Sequence, residues 1–257
     1  MKSIKTIAVA LLAGAALNAA AAQPAVKPTI VLVHGAFADS ASWDGVTKKL
    51  IAHGYTVIGA ANPLRSVKGD AAVVSGIVKG IAGPVVLVGH SYGGAVISAA
   101  ANGNGNVKSL VYVAAFAPDT GETALELSGR FPGSTLGSAL AAPVPTADGG
   151  KDFYIQQSKF HQQFAADVPK AQASLMAAGQ RPIAEAALTE AAGTPAWKTL
   201  PSYFVYGTAD KNIPAAALQF MADRAKSRKT VVIGGASHVV MTSKPAQVAD
   251  LIEEAAK

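Results

Sequence analysis

The sequence predicts an α/β fold: a mostly parallel β-sheet with helices on both faces and a helical cap insertion. Three observations predict it. Short β-branched runs alternate with stretches of helical spacing from residue 29 to about residue 116. From about 119 to 199 the alternation stops; prolines and glycines punctuate the chain and no convincing strand is found. The alternation resumes at 201 and runs to the last residues. Such a pattern belongs to a parallel sheet, because each crossover between parallel strands lays a helix on one face.

The elements follow in chain order. TIVLV at 29–33 reads as a buried strand. Residues 43–52 place Trp43, Val46, Leu50 and Ile51 at helical spacing, with Asp39 and Ser40 available as caps. A turn at His53 and Gly54 leads to a second strand at 55–59. Helical spacing returns over 67–81 and is stopped by Gly83 and Pro84. VVLV at 85–88 is the third strand, and the small residues of 95–101 suit a helix packed close to a sheet. Asn and Gly over 102–106 break that helix before a fourth strand at 107–116. Inside the insertion, 153–164 and 170–178 have helical character, and Phe131, Phe153, Tyr154, Phe160 and Phe164 favour a packed cap. Strands at 201–206 and 230–233, with helices at 214–225 and 245–256, complete the pattern.

Half of the 257 residues are hydrophobic, enough for one sizeable core, so 23–257 reads as a single domain with a cap at about 119–199. With no cysteine, disulfides, thiolate metal sites and a cysteine nucleophile are excluded. The net charge of +6 raises the question of nucleic acid. The basic residues are scattered, however, and the densest cluster, Lys226 to Lys229, has no interleaved aromatic residue. A solvated surface and no nucleic-acid partner are expected.

Residues 1–22 have the layout of a removable bacterial signal peptide. Lys2 and Lys5 precede an apolar run over 7–17, and Ala20 to Ala22 offer a small-residue cleavage site before Gln23. A spanning helix needs about 20 apolar residues, so periplasmic or secreted protein without stable membrane insertion is expected. The sequence carries no indication of oligomeric state.

The chemistry centres on VGHSYGGA at 88–95. Gly89-His90-Ser91-Tyr92-Gly93 fits the G-x-S-x-G turn that lifts a serine hydroxyl off the end of a strand, just before a helix. The N–H of Tyr92 lies where helix amides are free, and so can meet negative charge. A serine needs a base. Of five histidines, His90 adjoins Ser91 and should point elsewhere. His34 suits packing and hydrogen bonding, His53 a solvated turn, and His161 the cap. His238 follows the last strand at its C-terminal end, where sites form in parallel sheets. It is the predicted base. Chain order in this class is serine, acid, histidine, which selects Asp210 after the strand at 201–206. Asp119 is the rival acid, with a turn residue as its plainer role. The Ala36 N–H, after the first strand, is the candidate second oxyanion donor, and Phe37 a candidate wall of the site.

VLVHGAF, GHSYGG, YVAAFAPD, GTADKNIP and ASHVVMTSKP together resemble the α/β-hydrolase family, from Thr29 to the end of the chain and most weakly over the cap. The resemblance is closest to the branch of bacterial carboxylesterases, plant methylesterases and hydroxynitrile lyases. It implies an α/β-hydrolase fold, a triad of Ser91, Asp210 and His238, and oxyanion donors at Ala36 and Tyr92. Lyases of that branch carry threonine and lysine where this chain has Gly35 and Val239, which disfavours the lyase reading; Ser91 disfavours relatives that use an aspartate nucleophile. The expectation is therefore a serine hydrolase for a small, apolar carboxylic ester, with no metal or cofactor. Lyase or perhydrolase use of the same site, or a silent binding protein, are the alternatives. Mass spectrometry of exported protein should find Gln23 at the N-terminus; an intact Met1 would remove the signal-peptide reading.

Overall fold

Strands that are apolar on both faces must be covered on both faces, and this decides the layering. The computed structural model describes residues 26–257, so the expected leader at 1–22 lies outside the described residues. The β-branched runs form β1 (Thr29–Val33), β2 (Val57–Ala60), β3 (Val85–His90) and β4 (Val107–Val113). After the insertion come β8 (Ser202–Gly207) and β9 (Lys229–Ile233). These six form one sheet in the order β2-β1-β3-β4-β8-β9, with every pair parallel. β3 and β8 are buried along their whole length, whereas the edge strands β2 and β9 are partly exposed. The exposed Lys229 on β9 discourages pairing with another chain's edge.

Local chemistry sets where the elements end. Asp39 caps a 3₁₀ turn at Ser40–Trp43 by accepting from the Ala41 N–H, and the helix Asp44–Ala52 follows. Ser66 caps Val67–Lys79 through the Gly69 N–H. The second strand starts at Val57 rather than 55, because the Tyr55 N–H closes the preceding helix on Leu50 O. The fourth stops at Val113 rather than 116. Ala114 turns to a φ of 45°, and the Phe116 N–H donates to Ser91 O at 3.0 Å. The end of β4 thus braces the turn that follows β3.

The insertion carries helices Ala124–Gly129, Leu136–Ala139, Gln157–Phe164, Lys170–Ala178 and Glu185–Thr189. It also contains what the sequence did not predict: an antiparallel sheet of β5 (Val144–Pro145), β6 (Lys151–Phe153) and β7 (Ile183–Ala184). Strands of two or three residues are too short to show a period of two. Phe160 and Phe164 of the helix Gln157–Phe164 are buried. No helix among the described residues is long and apolar enough to cross a membrane.

The cap is tied to the sheet domain by a partly buried ion cluster. The Glu122 carboxylate accepts from Arg224 Nη1 and Nη2 at 2.8 and 2.7 Å and from Arg130 Nη1 at 3.0 Å. The Arg224 guanidinium holds the Glu122 carboxyl below its ordinary value of 4.5. A depressed carboxylate stabilises the fold above that value, and the contribution is lost as pH falls through the lower folded value. Glu122→Gln should cost about 1–3 kcal/mol at neutral pH. It should also flatten the acid side of the stability curve below pH 4.5, measured by denaturant titration across pH.

Candidate active site

β3 delivers Ser91 to the C-terminal edge of the sheet. Ser91 has a φ of 53°, the left-handed region that a residue with a side chain rarely adopts. Three hydrogen bonds fix it there: the Ser91 N–H donates to Val113 O, and Ser91 O accepts from the N–H groups of Gly94 and Phe116. The flanking glycines are required by close backbone approach. A Cβ at Gly89 would lie 2.5 Å from Gly93 O, and one at Gly93 would lie 2.6 Å from Val33 O. The helix Gly93–Ala100 starts immediately after, so the Tyr92 N–H has no acceptor among the described residues. Its phenol turns the other way and donates to the buried Asp70 at 2.9 Å. Burial pushes the Tyr92 hydroxyl up, and it pushes the Asp70 carboxyl up as well.

β1 leads into the loop His34-Gly35-Ala36-Phe37. His34 Nδ1 donates to Gly35 O at 3.0 Å, and Nε2 accepts from the Asn62 N–H at 3.2 Å. Burial lowers its pKa, so it is a neutral fixture of the loop. The Ala36 N–H, like that of Tyr92, is left without an acceptor among the described residues. Phe37 is itself left-handed, at a φ of 60°; its N–H donates to Arg181 O of the cap, and its ring meets Phe164 edge-on at 6.1 Å.

The ends of β8 and β9 bring Asp210 and His238 together. His238 Nδ1 donates to Asp210 Oδ2 at 2.6 Å, and both residues are buried. Asp210 Oδ1 accepts from the N–H groups of Asn212 and Ile213 at 2.8 and 3.0 Å. With Nδ1 donating, Nε2 is the ring nitrogen able to take a proton. Ser91, His238, Ala36, Tyr92 and Phe37 all line one cavity of about 140 Å³, closed mainly by Phe116, Leu125, Leu136, Leu188 and Ile213. Ser91 Oγ makes no hydrogen bond with His238, although both line the same cavity; contacts of this kind often tighten only around substrate.

The remaining candidates go elsewhere. Asp119 lies in an exposed turn, paired with Lys198 at 2.5 Å, and does not line the cavity. The Lys198 ammonium keeps its carboxyl below the usual range. His53 pairs with Glu253 at the surface, and His161 donates to Val168 O within the cap. His90 points away from Ser91 but not to a neutral corner. It is fully buried, its ring centroid is 4.8 Å from that of His238, and its Nε2 donates to His238 O at 3.2 Å. Burial, then the neighbouring His238, hold its pKa well below the ordinary value.

Three cap residues that escaped sequence reasoning secure the loops of the site. Arg181 O holds Phe37, Asp167 accepts from Ser237 Oγ beside His238, and Gln163 Nε2 donates to Lys211 O and Asn212 Oδ1 beside Asp210. Only Gln163 left a trace. It is the polar member of the buried face Phe160, Gln163, Phe164. Among the described residues no group of three His, Cys, Asp or Glu side chains could hold a metal ion.

The model of the α/β hydrolase family matches residues 30–251. No curated protein matches the chain. Among solved structures, polyneuridine aldehyde esterase is similar at a TM-score of 0.78 and 16% identity, over 90% of this chain and 100% of that one. An extracellular α/β-hydrolase from a Paenibacillus species gives 0.69 and 22%, over 90% and 99%. A pyrethroid hydrolase from Sphingobium faniae JZ-2 gives 0.70 and 22%, over 89% and 97%. At these identities the likeness is one of fold.

The elbow geometry makes a stability contrast. Gly93→Ala must displace backbone and should cost about 1–3 kcal/mol. Gly76→Ala, in an exposed helical site where a Cβ meets nothing within 4 Å, should gain about 0.5–1 kcal/mol. Calorimetric melting of the two variants against wild type checks both signs.

Proposed function

Because the chain belongs to the α/β hydrolase family, we propose that it is a serine hydrolase that cleaves carboxylic esters through Ser91, His238 and Asp210. The observation that carries this reading is convergence. A strained serine, a histidine paired to a buried aspartate and two unengaged amides line one apolar cavity. A binding site would need the cavity but not the paired base and acid.

In the proposed reaction His238 Nε2 takes the Ser91 proton as Oγ attacks the ester carbonyl. The Ala36 and Tyr92 N–H groups receive the oxyanion; losing one such donor raises a barrier by about 3 kcal/mol. Asp210 fixes the His238 tautomer and stabilises the imidazolium. His238 then protonates the leaving alcohol, and water, activated by the same nitrogen, releases the acid. These steps call on no metal or cofactor. The substrate is a small molecule with a largely apolar body, in keeping with the leucine-rich lining.

The lyase alternative is disfavoured at two positions. A side chain at Gly35 would meet Ser91 Cβ at 2.6 Å, so a threonine there would press on the nucleophile. Val239 is fully buried and brings no ammonium to the cavity. Export to the periplasm or beyond is proposed from the leader-like residues 1–22.

Ser91→Ala should lower kcat/KM for p-nitrophenyl esters by about 10⁴-fold or more, and Asp210→Asn by about 10³–10⁴-fold, with melting temperatures close to wild type. A fluorophosphonate should label Ser91, read by peptide mass spectrometry. Folded wild-type protein that neither turns over esters nor takes the label would overturn the proposal.

A further inference from the structure

Phe37 lines two cavities, not one. On one side is the 140 Å³ cavity of Ser91; on the other is a groove of about 280 Å³ between the 3₁₀ turn at Ser40–Trp43 and the cap helix Lys170–Ala178. We propose that this groove is a second substrate subsite, taking an uncharged alkyl or aryl arm of the ester, and that Phe37 governs access to it. The inference rests on the esterase reading above.

Four observations carry it. The first is size. Sites for small molecules occupy about 300–1,000 Å³; the reaction cavity alone falls short, and the two spaces together reach that range. The second is adjacency. The oxyanion-donor candidate Ala36, the shared wall Phe37, and Ala38 and Asp39 of the groove are consecutive residues. With about 3.8 Å between successive Cα atoms, an arm on a carbonyl held at Ala36 starts within a residue or two of the groove. The third is chemistry. Leu175 and Met176 supply an apolar wall, and Leu175 is 76% exposed, a large apolar side chain with little protein against it. The charged lining residues are Asp39 and Asp44, with no Lys or Arg, so an anionic arm is disfavoured. The fourth is the wall's own backbone. A left-handed aromatic residue is strained, and the Phe37 N–H bond to Arg181 O holds that backbone where Phe37 borders both spaces.

The test compares ethyl acetate with hexyl acetate and ethyl hexanoate by pH-stat, so that the arm is tried on each side of the carbonyl. Met176→Trp, which fills the groove, should lower the long-to-short ratio of kcat/KM at least tenfold for the preferred long ester. Phe37→Ala, which removes the wall, should raise it at least threefold. Ratios within twofold of wild type in both natively melting variants would overturn the subsite. If Met176→Trp does not fold, Phe37→Ala decides alone. If wild type hydrolyses none of the esters, the esterase reading fails separately. Calorimetric titration of 1-hexanol into Ser91→Ala then judges the groove: binding lost on adding Met176→Trp supports it, and equal affinity overturns it.

Discussion

Ser91 sits at a φ of 53°, a backbone that costs a residue with a side chain about 1–2 kcal/mol. That cost is offset by one local hydrogen bond, from Gly94, and by contacts with the end of β4 and the segment after it. Ser91 O is gripped by Gly94 and Phe116, Ser91 N by Val113, and the turn is pressed against the end of β1 so closely that Gly93 has no room for a Cβ. Each of those partners is itself buried within the domain. The early end of β4, the glycine spacing and the small-residue helix behind the turn all answer to this one demand.

Around the turn the charges are few. His34 and His90 are both buried and held neutral, each by desolvation before any other cause. Tyr92 carries its polar end away to Asp70. The Asp210 carboxylate, satisfied by two amides and His238, is the buried acid of the site. The surroundings of His238 are therefore apolar or neutral on the sides formed by Phe164 and His90, where electrostatic interactions act with little screening.

The sheet was legible because its signals are local. Both the β-branched runs and the G-x-S-x-G spacing are written in adjacent residues, and the order of Ser91, Asp210 and His238 along the chain narrowed the partners. What escaped was written across distance. Two- and three-residue strands in the cap have no period to detect. Adjacency in sequence said that His90 cannot face Ser91, but not that it would pack on a histidine 148 residues away. The contacts of Asp167 and Arg181 involve a hydroxyl and a backbone amide across the cap boundary, which no composition or spacing announces. Gln163 escaped as well, although its signal was local: a polar residue on an apolar helical face asks for a buried partner.

Those three contacts bear on how such a protein could be altered. Insertions of this kind invite treatment as interchangeable lids, to be swapped between scaffolds for new selectivity. Here a replacement lid would have to present a carbonyl to Phe37, an acceptor to Ser237 and a donor to the loop after Asp210, all in register. A graft that merely covers the pocket would leave three loops slack, and would trade rate for breadth of substrate. Point changes on the lid's inner surface, with its anchor atoms retained, are the more tractable route to redesign.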